Sequence, residues 1–118
     1  IFNITYIKRE QIMAKTSIGL DKVASAELAS KLNDLLASYQ VFYTNVRGYH
    51  WNIKGVNFFE LHAKFEEIYT DLITKVDELA ERILTLGYTP NNAYSQYLKV
   101  SRIQEDIAVS SAQDCLCM

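Results

Sequence analysis

The chain has 118 residues, a net charge of −2, one proline and four glycines. This length excludes several domains of ordinary size, and the charge offers no basic excess of the kind that marks binding to nucleic acid or anionic membranes. No apolar run approaches the ~20 residues of a membrane span, and the N-terminus lacks the apolar core of a signal peptide. The two cysteines, Cys115 and Cys117, are too few for a disulfide framework, so a cytoplasmic location is expected.

Residues 1–20 show no clear hydrophobic period and are expected to form an N-terminal tail. Met13, followed by alanine and lysine, resembles a natural start, which leaves open that residues 1–12 are extraneous. The few glycines and prolines that follow favour long helices over a turn-rich β fold.

From Asp21 onward, apolar residues recur in alternating steps of four and three. This period predicts one long amphipathic helix that ends between Gly48 and Gly55. His50 occupies the next step of the stripe. The stripe itself consists of Leu28, Leu32, Leu35, Tyr39, Phe42 and Val46.

A second long helix is predicted from Phe58 to Leu86. Asn57 suits its N-cap, and Glu60 stands three residues further on, as in a capping box. At the other end, Gly87 suits the position just after the helix.

Beyond Pro90, which stops the second helix, the pattern indicates two further elements. Residues 91–100 are expected to hold one short helix. Residues 111–114, Ser-Ala-Gln-Asp, have the form of a capping box and predict the start of another helix. Only the first few residues of this helix are expected to be present.

The charges of the second helix fall into two classes on a wheel with ~100° per residue. Most of its apolar residues lie within roughly 80° of His62, so this histidine lies inside the apolar stripe. Four acids lie on the far side, where paired charges predict an ordinary solvent-facing surface. Three of them have a cation four residues on: Glu60–Lys64, Asp71–Lys75 and Glu78–Arg82.

Three other acids, Glu66, Asp77 and Glu81, lie along one margin of the stripe, at roughly 40° to 100° from His62. None has a lysine or arginine four residues on, and Asp77 and Glu81 form a like-charge pair that is destabilising without a cation. A half-buried carboxylate needs a partner. Mixed imidazole and carboxylate ligands suit iron, manganese or zinc; the alternatives are a hydrogen-bonded core histidine and solvated acids.

The spacing along the helix divides this set into two halves. Asp77 follows His62 by fifteen residues, about 22 Å at a rise of 1.5 Å per residue. Glu81 follows Glu66 by the same interval, so the two halves cannot share an ion within one chain. They would meet if a second copy of the helix packed antiparallel across a two-fold axis near residues 71–72, which predicts an isologous dimer with two equivalent sites.

Two motifs cover the end of the first helix and most of the second. One comprises His50-Trp51, Gly55, Phe58, Leu61-His62, Phe65 and Glu66; the other comprises Asp77-Glu78-Leu79-Ala80-Glu81-Arg82, Leu86-Gly87 and Pro90. Together they resemble the Dps family, the ferritin-like mini-ferritins that protect DNA in starved cells. The resemblance covers roughly residues 20–106. The Glu-x-x-His pairs of ordinary ferritin-like bundles, which build a site inside one subunit, are missing.

The resemblance implies an all-α, ferritin-like four-helix bundle. This chain would hold two long helices, a short connecting helix and the start of a third long one. Residues 21–118 would then be a partial domain, truncated at its C-terminus. Family members form dodecameric shells with ferroxidase centres at two-fold interfaces. Carried over by position, the catalytic iron ligands are His50, His62 and Glu66 from one subunit and Asp77 and Glu81 from its neighbour, with Trp51 beside them.

The implied activity is that of a ferroxidase with a storage role. Fe(II) would be oxidised, with hydrogen peroxide as the favoured oxidant, and stored as Fe(III) mineral, which protects DNA from oxidative damage. The expected partners are other copies of the chain, as two-fold dimers that build a dodecamer. DNA binding is expected to be weak, because the first 22 residues hold four cations offset by two acids. Two alternatives stay open: a DNA-compacting protein with incidental iron binding, and an inactive helical fragment or metal-free interaction module.

Overall fold

The structure, a computed structural model, describes residue 16 and residues 18–107. Within them the chain forms three helices, α1 (Lys22–Asn52), α2 (Phe58–Thr85) and α3 (Tyr94–Val100). This all-helical architecture confirms the predicted fold class and the order of its elements. The helix start expected at residues 111–114 and most of the N-terminal tail lie outside the described residues.

The first helix begins where the sequence predicts. The Asp21 side chain accepts a hydrogen bond from the backbone N–H of Ala24 at 2.7 Å, which satisfies one of the free donors of the first turn. α1 then continues without interruption to Asn52. Its last residues carry His50 to the end of the helix, directly before the turn into α2.

The turn between α1 and α2 depends on two residues with positive φ. Gly55 has a φ of 95° and Asn57 a φ of 69°, and asparagine is one of the few residues with a side chain that tolerate this region. Asn57 is the N-cap of α2 as predicted. The prediction of a capping box with Glu60 is wrong, because the Asn57 side chain makes no capping hydrogen bond. Its left-handed backbone closes the turn instead of the extended conformation that a capping side chain requires.

The second helix ends in a Schellman motif, which confirms the role predicted for Gly87. The Gly87 N–H donates to the carbonyl of Leu84 at 2.9 Å, and the Tyr88 N–H donates to that of Ile83 at 3.2 Å. Gly87 has a φ of 88°, which a residue without Cβ adopts at no steric cost.

α1 and α2 form an antiparallel hairpin with two apolar clusters. The cluster near the turn is made by Val46, Tyr49, Ile53, Phe65 and Leu72. The cluster at the other end is made by Leu36, Ala37, Val41, Ile83 and Tyr97, so α3 contributes to it through Tyr97.

The buried side of α1 differs from the predicted stripe. Leu28 and Leu35 belong to that stripe but remain exposed, whereas Leu36 and Ala37 are buried. The reason is that α1 packs against α2 and also against α3 and the residues that follow it. A stripe with a single period describes one contact surface and cannot represent two. In the part of the chain that the structure describes, no helix is long and apolar enough to cross a membrane.

Candidate metal centre

His50 and His62 lie face to face at the closed end of the hairpin. Their ring centroids are 3.7 Å apart, with 20° between the ring planes. His50 comes from the last turns of α1 and His62 from the second turn of α2, so the short turn between the helices brings them together. The structure thus joins two of the five residues proposed as ligands.

Hydrogen bonds with the backbone fix both rings. Nδ1 of His50 lies 2.6 Å from the carbonyl oxygen of His62, and Nδ1 of His62 lies 2.8 Å from the carbonyl oxygen of His50. A carbonyl can only accept, so Nδ1 carries the proton in each ring. In the neutral imidazoles the lone pair therefore resides on Nε2, the atom that a metal ion would take.

Aromatic rings enclose this pair on two sides. Tyr69 packs edge-on against His50 with centroids 5.2 Å apart, and Phe58 stacks on His62 at 5.1 Å. His50 is buried, with 8% of its surface exposed. Trp51, which the resemblance places beside the site, is exposed and has its ring 4.8 Å from the guanidinium carbon of Arg47.

The three acids do not join the histidines. Glu66, Asp77 and Glu81 are all exposed, and within residues 18–107 no three histidine, cysteine, aspartate or glutamate side chains approach closely enough to hold a metal ion. Within the part of the chain that the structure describes, one copy therefore presents two imidazoles with no carboxylate beside them. The role of the acids as ligands stays a prediction.

The acids share their side of α2 with apolar residues that are exposed among the residues that the structure describes. Phe59 is 82% exposed, Ile73 49% and Leu84 59%. On the helical wheel, these residues lie at roughly 20° to 60° from His62, whereas the buried residues of α2 lie at roughly −60° to −80°; they are Phe65, Leu72 and Ile83. The apolar stripe of α2 is thus divided between a covered side and an open one. We call the set Phe59, Glu66, Ile73, Asp77 and Leu84 the open face of α2.

The ion pairs on the far side of α2 match the expectation in part. Lys75 pairs with Asp71 as predicted. Lys64 pairs with Glu67 at 3.1 Å instead of Glu60, because residues three apart are also neighbours on a helix. Within the described residues, no ion pair forms between Glu78 and Arg82. These charges are solvated, unlike the pair of histidines.

Sequence reasoning missed a polar group behind the site. Asn45 is 4% exposed, and its amide bonds to the backbone of residues 104 and 106. Next to the site, Tyr49 donates from its hydroxyl to Asp106 at 2.9 Å. A signal was present, since Asn45 stands four residues from both Val41 and Tyr49 and so shares a side of the helix with two apolar residues. A polar group in such a place is buried only with partners.

Comparison with known proteins identifies relatives of the chain. The family model described as the ferritin-like domain matches residues 29–116. A Haemophilus influenzae protein described as uncharacterized is 86% identical over 104 residues, which are 88% of this chain and 65% of that protein. The DNA protection during starvation protein of Porphyromonas gingivalis is 50% identical over 88 residues, or 75% of this chain and 55% of the relative.

A solved structure shares the arrangement of helices. The Dps protein of Vibrio cholerae O1, described as a member of a broad superfamily of ferritin-like diiron-carboxylate proteins, superposes with a TM-score of 0.86 at 58% identity, over 89% of this chain and 66% of that one. This chain therefore spans less than two thirds of the length of each of these proteins.

Proposed function

Because the chain belongs to the ferritin-like domain family, and within it to the Dps proteins, we propose that it oxidises Fe(II) at centres shared between two copies and serves iron storage and detoxification. In this proposal His50, His62 and Glu66 of one copy and Asp77 and Glu81 of the other take the ferrous substrate. Such dimers assemble into a shell of twelve subunits, a dodecamer. Residues 21–118 form the ferritin-like part, and residues 1–20 the tail.

The observation that carries the proposal is the reciprocal hydrogen bonding of the two histidines. It leaves both Nε2 lone pairs available in a largely buried place before any ion arrives. Metal-binding histidines characteristically donate the N–H of the ring nitrogen that does not ligate to a carboxylate or a backbone carbonyl, and Nδ1 of both rings makes this contact. Imidazole suits ferrous iron and carboxylate oxygen suits ferric iron, so the mixed ligand set serves both oxidation states.

The open face of α2 supports the two-fold arrangement. Phe59 and Leu84 are equidistant from the midpoint between residues 71 and 72, and so are Glu66 and Asp77. An antiparallel copy of α2 would therefore set Phe59 against Leu84 and Glu66 against Asp77 on the same side. His62 and Glu81 obey the same symmetry. The apolar residues would be covered and the facing carboxylates would require a cation, which the iron supplies.

Hydrogen peroxide fits the chemistry as the oxidant. Two ferrous ions lose one electron each, and peroxide takes both electrons with two protons and leaves as two waters. A paired site delivers both electrons together, which avoids the one-electron cleavage that releases hydroxyl radical. DNA would then be protected by the removal of iron and peroxide, and not by tight binding.

Weak DNA binding follows from the charge of the tail. Four cations offset by two acids in the first 22 residues neutralise few phosphates, and affinity depends steeply on that number. Gel retardation at physiological salt should show little retained plasmid. Tight retention that resists salt would favour the second candidate, a DNA-compacting protein.

The experiment that tests the proposal is a ferrous oxidation assay with peroxide. It compares the chain alone with the chain extended by the part of the Haemophilus influenzae relative that follows the matched region. Asp77→Asn should slow oxidation by about a hundredfold in the extended protein. Glu78→Gln is the matched control, because it removes the same charge one residue away on the solvated side of α2. Equal rates in Asp77→Asn and Glu78→Gln would refute the site.

A further inference from the structure

Residues 101–106 follow α3 and run along α1 without forming a helix. They are attached by side chains of α1. The Arg102 N–H donates to Oγ of Ser38 at 3.1 Å, and Nδ2 of Asn45 donates to the carbonyl of Gln104 at 2.9 Å. The Asp106 N–H donates to Oδ1 of the same asparagine at 3.0 Å. We call residues 101–106 the strap.

The strap ends beside the histidines. Its last residue, Asp106, accepts a hydrogen bond from the Tyr49 hydroxyl at 2.9 Å, and Tyr49 directly precedes His50. The Tyr49 ring also packs on Phe65 of α2, with centroids 5.6 Å apart, one helical turn beyond His62. Tyr49 therefore connects the strap, the end of α1 and the part of α2 that carries the second histidine.

The histidine pair needs this kind of support. The last turn of a helix has carbonyls without intrahelical partners and tends to fray, and His50 lies in that region of α1. Each ring must reach the other's backbone carbonyl, so a small rotation of α1 would break both hydrogen bonds together. Ligating groups have to be held to within about 0.5 Å of their productive geometry. The Asn45 amide, buried and bonded at both ends, fixes the strap in one register against α1.

We propose that Asn45 and Asp106 are positioning residues for the two-histidine site: through the strap and Tyr49, they hold the end of α1 in the rotation that keeps Nδ1–H of His50 and His62 on the opposite carbonyls and both Nε2 atoms free. The effect on iron rests on the proposed function, whereas the effect on the imidazoles does not. Neither residue touches the substrate.

The test measures the protonated nitrogen of each ring by ¹⁵N NMR in the metal-free 118-residue chain and in the extended protein. Both rings should show the Nδ1–H form, whereas an unconstrained neutral imidazole favours Nε2–H. Asp106→Ala and Asn45→Ala should convert both rings to mixtures. Asp106→Asn, which keeps an oxygen acceptor for the Tyr49 hydroxyl, should restore the Nδ1–H form. Thr44→Ala is the control, because it removes a hydroxyl hydrogen bond within α1 next to Asn45 without touching the strap.

Ferrous oxidation gives the second measurement. In Asp106→Ala the KM for Fe(II) should rise about tenfold while kcat changes less than twofold, since loss of a supporting group weakens metal affinity by about ten- to a hundredfold. If Asp106→Ala fails to fold, Tyr49→Phe decides the matter, because it deletes the hydroxyl alone and should produce the same change in the rings.

The outcomes separate the two proposals. Rings that keep the Nδ1–H form in a folded Asp106→Ala or Tyr49→Phe variant would overturn the positioning role, whatever the enzyme does. Rings that change as expected, in a protein that shows no ferrous oxidation even when extended, would support the positioning role and refute the proposed function.

Discussion

A site shared between two copies can be tested by mixing two inactive variants. His62→Gly removes a ligand from one half of the constellation, and Asp77→Asn removes a ligand from the other half. Each homodimer carries the same defect in both of its sites. We therefore expect each variant alone to oxidise Fe(II) at least tenfold more slowly than the unmodified protein. Assembly should stay intact, because the exposed apolar residues of the open face, Phe59, Ile73 and Leu84, are unchanged.

The two-fold symmetry fixes the size of the rescue. In a mixed dimer, one site combines both defects, while the other takes His62 from the Asp77→Asn copy and Asp77 from the His62→Gly copy and is fully intact. Random association of equal amounts makes half of the dimers mixed, with one intact site out of two. About a quarter of all sites, and about a quarter of the original rate, should therefore return.

The assay is ferrous oxidation by peroxide after the two variants are unfolded together and refolded together, in the extended protein. The same variants refolded separately and then combined provide the control, which should stay at the low rate. Ligands that all belonged to one chain would give no rescue under either protocol. A rate that does not rise above the control after joint refolding would refute the two-fold arrangement.

Three further predictions concern other parts of the structure. Ile73→Lys, at the centre of the open face, should weaken self-association at least tenfold in sedimentation analysis. The reason is that it sets like charges together near the two-fold axis and loses apolar burial. Thr85→Lys, on an exposed side of the same helix, should leave self-association unchanged. Gly87→Ala should lower the free energy of unfolding by about 1 kcal/mol, since its φ is positive, whereas Gly48→Ala should raise it by about 0.5 kcal/mol, since a Cβ there meets nothing within 4 Å. Denaturant titration that showed the same sign for both glycines would contradict this reasoning. Burial raises the pKa of Tyr97 above its ordinary value. The contribution of this tyrosine to stability is therefore complete below about pH 10, the pKa in the unfolded chain, and is lost as the pH rises through the pKa in the folded protein. Tyr97→Phe should reduce this alkaline loss of stability in unfolding curves recorded at increasing pH.

The sequence by itself determined the elements of this protein and the identity of its unusual acids. Gly87 marked the end of the second helix, because capping depends on local backbone chemistry. The period of the second helix separated the solvated acids from Glu66, Asp77 and Glu81, since the helical repeat alone decides which residues share a side. The helical rise also predicted that the His62/Glu66 pair and the Asp77/Glu81 pair are too far apart to bind one ion within a single chain.

Only the tertiary structure decided how the apolar stripes are used. Ile73 and Ile83 both lie on the stripe of α2, but Ile83 is fully buried and Ile73 is half exposed. The wheel could not distinguish them, because burial depends on where α1 packs. Likewise, the choice of Nδ1 as the protonated nitrogen in His50 and His62 follows from carbonyls that lie across the hairpin, twelve residues away along the chain.

The partners of Asn45 required the tertiary structure for the same reason. Its amide bonds to backbone groups about sixty residues away, and backbone N–H and C=O groups are present at every position, so no side-chain pattern marks which of them will be used. Helix ends and the sides of a helix depend on residues that are close in the chain, so the sequence predicts them. Contacts between distant segments exist only once the hairpin, α3 and the strap have packed on α1.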